Sequence, residues 1–237
     1  MSQVVETTQI PLTPDAAQAA GRGELGGLRQ SFLLLTKVRL FGKPREDEKF
    51  RVYEFEHGLV RDGGGMPLVV FRWDRVRTVL QNSTAHFENG RYKGTTFAYR
   101  LTRDDGAEFS IDGRFMDPRR IPRAAAAAVN QHRRWAEFGE AVTRYVAARQ
   151  LLDAQATLTI GQQLAFGDIA ISMQGVYTHK FGVVPWSQIK DVQVRNGTVQ
   201  IKKEGKFLSL SSRPVGRIPN FVLFMVLVDA LRKEPGA

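Results

Sequence analysis

Four arginines crowd one short stretch of the chain: Arg114, Arg119, Arg120 and Arg123. A guanidinium group presents a planar fork of donors that matches phosphate and carboxylate oxygens. Several of them close together could therefore hold phosphates or an acidic peptide. Asp112 and Asp117 stand among them and partly neutralise the stretch, and Arg133 and Arg134 follow. A second basic group, Lys202, Lys203 and Lys206, flanks the Glu204-Gly205 pair. Lysines on an exposed strand also keep sheet edges from pairing with one another, which gives this group a plainer structural role. Anion or partner binding is the chemistry both groups offer, against a solvated surface as the alternative.

Other chemistries find less footing. The histidines, His57, His86, His132 and His179, are far apart, and none falls in a metal-ligand spacing such as H-E-x-x-H. No pair of carboxylates sits in an apolar setting that would raise a pKa for acid–base work. The run Asp62 to Gly65, "DGGG", lacks the lysine and following hydroxyl residue of a phosphate loop and reads as a strand connection. Cysteine is absent, which excludes disulfides, thiolate metal sites and cysteine nucleophiles. Nucleic-acid recognition would need a recognition helix or a stacking platform, and the strand aromatics here alternate with aliphatic core positions. The expectation is a non-enzymatic chain with no cofactor and no metal, binding neither DNA nor RNA.

The 237 residues are 43% apolar and 24% charged, the balance of a globular protein that buries a core. Net charge is +10, spread over both halves, which favours an acidic partner on average. The longest apolar run, "FVLFMVLV" at 221–228, is far shorter than the ~20 residues a membrane-crossing helix requires. The first residues contain no apolar stretch of signal-peptide length. Their Pro, Gly, Ala and polar content predicts a mobile tail over 1–27. A cytoplasmic location is expected, membrane-peripheral if the basic groups meet anionic lipid.

What must position any of these residues is a plan written twice. "FRWDRVRTV" at 71–79 returns as "VPWSQIKDV" at 184–192. Each phrase follows an alternating strand that ends in glycine and an aliphatic residue, at Gly58 and Gly175. After each come an Asn-Gly turn (Asn89-Gly90, Asn196-Gly197) and an acidic-Gly turn (Asp105-Gly106, Glu204-Gly205) between strands. Asn-Gly accepts the positive φ of tight hairpins cheaply. Each half then reaches Arg-Ile-Pro, at 120–122 and 217–219, before a segment compatible with a helix. Landmarks in the same order, with length differences confined to loops, predict a duplication.

The strands read by period two, as in "TVQIKK", where Val199 and Ile201 share a face. Trp135, Phe138, Val142, Tyr145 and Val146 form a stripe on a long helix expected at about 122–149, whose later turns would brace the two halves. Gly139 is its expected weak point. A second helix is expected at about 219–233. Trp73 and Trp186 are expected as core anchors, one in each copy.

The run "ISMQGVYTHKFGVVPWSQIKDVQV" resembles bacterial pleckstrin-homology-like (PH-like) proteins. The wider set, "LGGLRQSF", "YEFEHGLV", "FRWDRV", "LAFGDIAIS", "VPWSQIKDVQV" and "RIPN", is similar to an uncharacterised actinobacterial family of tandem PH-like proteins. The resemblance covers about residues 25–230. It implies an α+β, mainly β fold: two PH-like antiparallel barrels or rolls, each closed by a C-terminal helix, the first helix long. The expected domains are 28–150 and 151–237. The superfold hosts phosphoinositide, peptide and protein binders, so the resemblance transfers no catalytic residue. The stretch "GKPREDEK" carries as many acids as bases, and "AFGD" has no basic residue, which counts against the usual phosphoinositide cradle. The leading expectation is an interaction or scaffold module for a protein or peptide partner. Peripheral association with an anionic membrane surface is the alternative.

Overall fold

Hairpins follow from the Asn-Gly pairs. In the computed structural model, which describes residues 10–35, 49–63, 66–117, 119, 126–205 and 209–233, Asn89 and Gly90 both have positive φ, as do Asn196 and Gly197. Two successive residues in that region twist the chain as paired strands twist, so the strands on either side meet in register. Glu88 accordingly faces Arg91, and Arg195 faces Thr198.

The chain forms two compact units, Met1–Arg75 and Val76–Ala237. In the first, helix α1 (Pro14–Arg22) precedes four antiparallel strands in sequence order: β1 (Leu28–Leu35), β2 (Lys49–Phe55), β3 (Gly58–Gly63) and β4 (Met66–Arg72). Helix α1 falls within the stretch expected to be a mobile tail. Thr13 caps it, its hydroxyl accepting from the Ala16 N–H, and Pro14 occupies the first turn, where its missing N–H costs nothing. Ala16 and Ala20 are buried with Leu25, Tyr53, Phe55 and Val60. Small residues bring the helix close to the sheet, and an alanine-rich composition reads as a loose tail when that sheet is out of view.

The second unit begins with β5 (Val76–Glu88), β6 (Arg91–Arg103) and β7 (Glu108–Met116), an antiparallel meander. Helix α2 (Ala126–Thr159) follows. Then come β8 (Leu164–Phe166), β9 (Ile169–Ser172), β10 (Gly175–Thr178) and β11 (Gly182–Pro185), four strands in sequence order. Strands β12 (Ile189–Arg195), β13 (Thr198–Lys203) and β14 (Ser209–Pro214) make another three-stranded meander, and α3 (Phe221–Lys233) ends the described chain.

The element order is thus repeated: four strands, a 3-10 turn opening on tryptophan, three strands, a helix. Details recur with it. The Trp73 N–H donates to the His57 carbonyl, and the Trp186 N–H to that of Gln174. Gly58 faces Arg72, and Gly175 faces Pro185, in each case where a Cβ would strike the backbone of the paired strand. A bulge follows each turn, between Val76 and Thr78 and between Ile189 and Asp191.

The expected barrels are corrected. The fold is α+β and mainly β, but the described strands form four separate antiparallel sheets, none of which closes. Within the second unit the 3-10 turn at Trp186 breaks the chain out of strand geometry, and no described ladder joins β11 to β12. In the C-terminal part the two sheets share one core instead. Ile171, Val176 and Val184 meet Val192, Val199 and Ile201 there, with Phe224, Leu227 and Leu231 of α3.

Helix α2 runs 34 residues, about 51 Å at 1.5 Å per residue, ten residues beyond its expected end. Its first turns bury Trp135 and Phe138, with Trp135 edge-on to Phe109 of β7. Its later turns send Ala147, Ala154 and Leu158 into the core of the second copy. The two sets lie on different faces, so one helix serves both. Tyr145 of the expected stripe falls at the border of the buried arc and is exposed. The sequence reading set a domain boundary at 150/151, inside this helix, whereas the compact units divide between Arg75 and Val76.

Candidate interaction site

Among the described strands, β5 pairs with β6 alone and β12 with β13 alone, so the first strand after each tryptophan turn has one side without a described ladder partner. Its bulge exposes carbonyls that need donors. On β5 the Gln150 amide of α2 supplies them, donating to the carbonyls of Val76 (3.0 Å) and Arg77 (3.1 Å). On β12, Arg232 of α3 donates to the Lys190 carbonyl at 3.0 Å. Each copy thus closes the start of its own strand with a side chain from its own helix.

Strand β5 has a further clasp. Asn220, which follows the second Arg-Ile-Pro, donates its backbone N–H to the Val79 carbonyl at 2.8 Å. Its Oδ1 accepts the Val79 N–H at 2.8 Å, and its Nδ2 donates to the Arg77 carbonyl at 2.9 Å. Asn220 has φ 51°, a conformation asparagine tolerates better than most residues. The "RIPN" stretch therefore has a use: it ties the second copy to the first strand of the meander before α2.

Beside this clasp lies an open cleft of about 340 Å³. Gln81, Asn82 and Ser83 of β5 form one wall, Tyr99 of β6 with Glu140, Thr143 and Arg144 of α2 another, and Val194, Gly197, Val215 and Val222 the rest. Tyr99 reaches it because α2 has glycine at 139: the Tyr99 ring fills the space where a side chain there would start. Thr143 turns its hydroxyl back to the Gly139 carbonyl at 2.8 Å, so it offers the cleft little donor capacity. Glu140 and Arg144 pair along the helix at 3.9 Å. Burial, and then the negative charge of Glu140, push the Tyr99 hydroxyl up to about 12, so it stays protonated at any physiological pH. The cleft is a mixed apolar and polar surface with one ion pair along its helical wall.

Arg114, on β7, and Arg119 are exposed. Arg120 and Arg123 lie outside the described residues, as do Lys206 and the stretch "GKPREDEK" up to Glu48. Lys202 and Lys203 are half-buried on β13, with Lys202 facing Asp191 across the ladder. Trp73 is 4% exposed, while Trp186 is half-buried and donates its indole N–H to the Ser172 carbonyl at 2.9 Å. His86 meets the Thr96 hydroxyl at 2.9 Å. His132 packs beside Gly113 and Phe97, and burial lowers its pKa. Among the described residues no cluster of His, Asp and Glu could hold a metal ion. Likewise, none of the described helices is long and apolar enough to cross a membrane.

Sequence reasoning missed one buried acid and the clasp. Glu54, on β2, is 9% exposed, accepts from the Gln30 amide, and has its pKa raised by burial. In "RVYEFEHG" its residue type gives no sign of burial. Asn220 sits 141 positions from Val79, and no local periodicity signals such a pair.

Residues 127–236 match the model of a family of unknown function, DUF6585, a stretch that begins in the first turn of α2 and ends just past α3. No curated protein and no solved structure matches the chain.

Proposed function

We propose that this chain is a non-enzymatic interaction module, built from two PH-like copies, that takes a protein or peptide partner in the cleft bordered by β5, β6 and α2. The recurrence of four strands, tryptophan turn, three strands and helix supports the PH-like reading. The carrying observation is the cleft itself. It is open, about 340 Å³, and its one ion pair is already made within α2. Pockets of this size with a few placed polar groups are the default binding sites of folded chains.

The test is capture from a native lysate with the wild-type chain and with Asn82→Trp, which puts an indole at the cleft wall. A protein recovered by the wild type and lost with the variant supports the reading. Equal recovery by both places binding elsewhere, and recovery of nothing above background under several growth conditions counts against a partner altogether.

A second reading is peripheral association with anionic lipid. It is favoured by the exposed Arg114 and Arg119 and by Phe181, 39% exposed beside Lys180. Surface lysines and arginines contribute about 1 kcal/mol each near such a membrane. Sedimentation with vesicles decides it: equal recovery on neutral and anionic lipid at low salt sinks the idea.

A further inference from the structure

Gly216 lies against Gln81 and Asn82, and Asn220 makes one rung on the β5 edge. Its single rung shows which way the strand points, because Val79 directs both its N–H and its C=O outward, away from β6. In an antiparallel ladder that orientation returns at every second residue. The register runs unbroken from Thr78 to His86, pairing Ser83 with Phe97 and Ala85 with Thr95. Ser83 and Ala85 therefore direct their N–H and C=O groups outward as Val79 does. No described residue pairs with them there. Asn82, Ser83, Thr84 and Ala85 are all exposed, and Phe87 is 65% exposed.

Open edges invite aggregation, and proteins blunt them with lysines, prolines, short strands or a covering element. Strand β12 shows such protection: it spans 7 residues, carries Lys190, Asp191 and Arg195, and has Arg232 folded over its start. Strand β5 has 13 residues, and between Arg77 and Glu88 it contains no charged residue and no proline. The unguarded part begins at Ser83, the last β5 residue of the cleft wall.

From this we infer that the Ser83–Phe87 edge of β5 receives an extended, uncharged segment of a partner protein as an added strand, with an apolar side chain of that segment entering the cleft. The inference rests on the interaction-module reading and names its ligand class. Main-chain rungs at Ser83 and Ala85 supply the alignment. The apolar part of the cleft, exposed Val194 with half-buried Val215 and Val222, suits an aliphatic or aromatic side chain. The Glu140–Arg144 pair leaves no uncompensated charge to reward a charged one.

The experiment pans a displayed library of random nine-residue peptides against the full chain. Enriched peptides are then titrated against wild type, Ser83→Pro and Ala85→Pro. Each proline removes an outward N–H that β6 does not use, a position where edge strands tolerate proline. Expected are enriched sequences with uncharged centres, a loss of at least about tenfold in affinity for each variant, and slowed amide exchange at Ser83 and Ala85 in the wild-type complex. The exchange readout decides the matter even if a proline variant fails to fold. Unchanged affinity with unchanged exchange at Ser83 and Ala85 overturns the edge, as does a library that enriches nothing. If lysate capture still succeeds, the module reading survives on another surface. A wild-type dimer in sedimentation that Ser83→Pro dissociates overturns the peptide in favour of a second copy of the chain.

Discussion

The ring of Tyr99 stands where a side chain at residue 139 would have to begin, so Gly139 is the notch through which β6 and α2 come together. Glycine within a helix costs about 1 kcal/mol relative to alanine, and in an exposed turn the exchange to alanine would stabilise. Here the sign reverses. Gly139→Ala is expected to destabilise Val76–Ala237 by roughly 1–3 kcal/mol, the range for overpacking a filled core. Tyr99→Leu in the same chain should recover part of that loss. Denaturant titration of the single and double variants measures both, and a stabilised single variant would show that the ring yields without cost.

Asn220 acts through its side chain and through its backbone, and two substitutions separate them. Asn220→Gly keeps access to positive φ but loses the side-chain bonds to Val79 and Arg77, for about 2 kcal/mol at the usual net value per bond. Asn220→Ala adds the strain of a left-handed alanine, about 1 kcal/mol more. The ordering wild type, glycine, alanine in thermal stability is the expected outcome. Alanine equal to wild type would remove the clasp from the account.

The two tryptophans occupy matching places and should not weigh the same. Trp73 is buried, and its truncation to alanine should cost roughly 3–5 kcal/mol. Trp186 is half-buried and holds a single bond to the Ser172 carbonyl. Trp186→Phe removes that bond while keeping an aromatic ring, for about 1 kcal/mol. Calorimetric scans that find the two alanine variants equally unstable would contradict the difference in burial.

Glu54 gives a pH dependence of definite sign. Burial raises its pKa, so the folded chain prefers the protonated acid more than the unfolded chain does. Its contribution is therefore fully present below the unfolded carboxylate range and is lost as pH rises through the folded value. Glu54→Gln, which retains an acceptor for Gln30, should raise the melting temperature at pH 7 and show no gain at pH 4. A gain that persists unchanged into acid would assign the effect to something other than ionisation.

Much of the backbone was legible because it is local. Asn89-Gly90 and Asn196-Gly197 announce their turns by residue type, and the twofold phrase around Trp73 and Trp186 announces that its surroundings recur. Helix α1 was not legible, because its alanines acquire meaning against Tyr53, Phe55 and Val60. The length of α2 escaped for a similar reason: beyond residue 149 the helix is held by a core assembled from strands later in the chain. Of the basic residues that stood out by type alone, Arg114, Arg119, Lys202 and Lys203 fall among the described residues. The cleft is built from residues such as Gln81, Ser83 and Thr143, whose types carry no signal until the helix and the hairpin are set side by side.

A helix that places Trp135 in one core and Leu158 in another cannot be withdrawn from either alone. Losing it at one end strips the other, so Val76–Ala237 should melt in a single cooperative step instead of two. Any fragment that ends near residue 150 would cut the shared strut, and the piece left behind would keep Ala154 and Leu158 but lose Ala147 from its core. The stretch that matches a known family model starts at residue 127, in the first turn of this same helix.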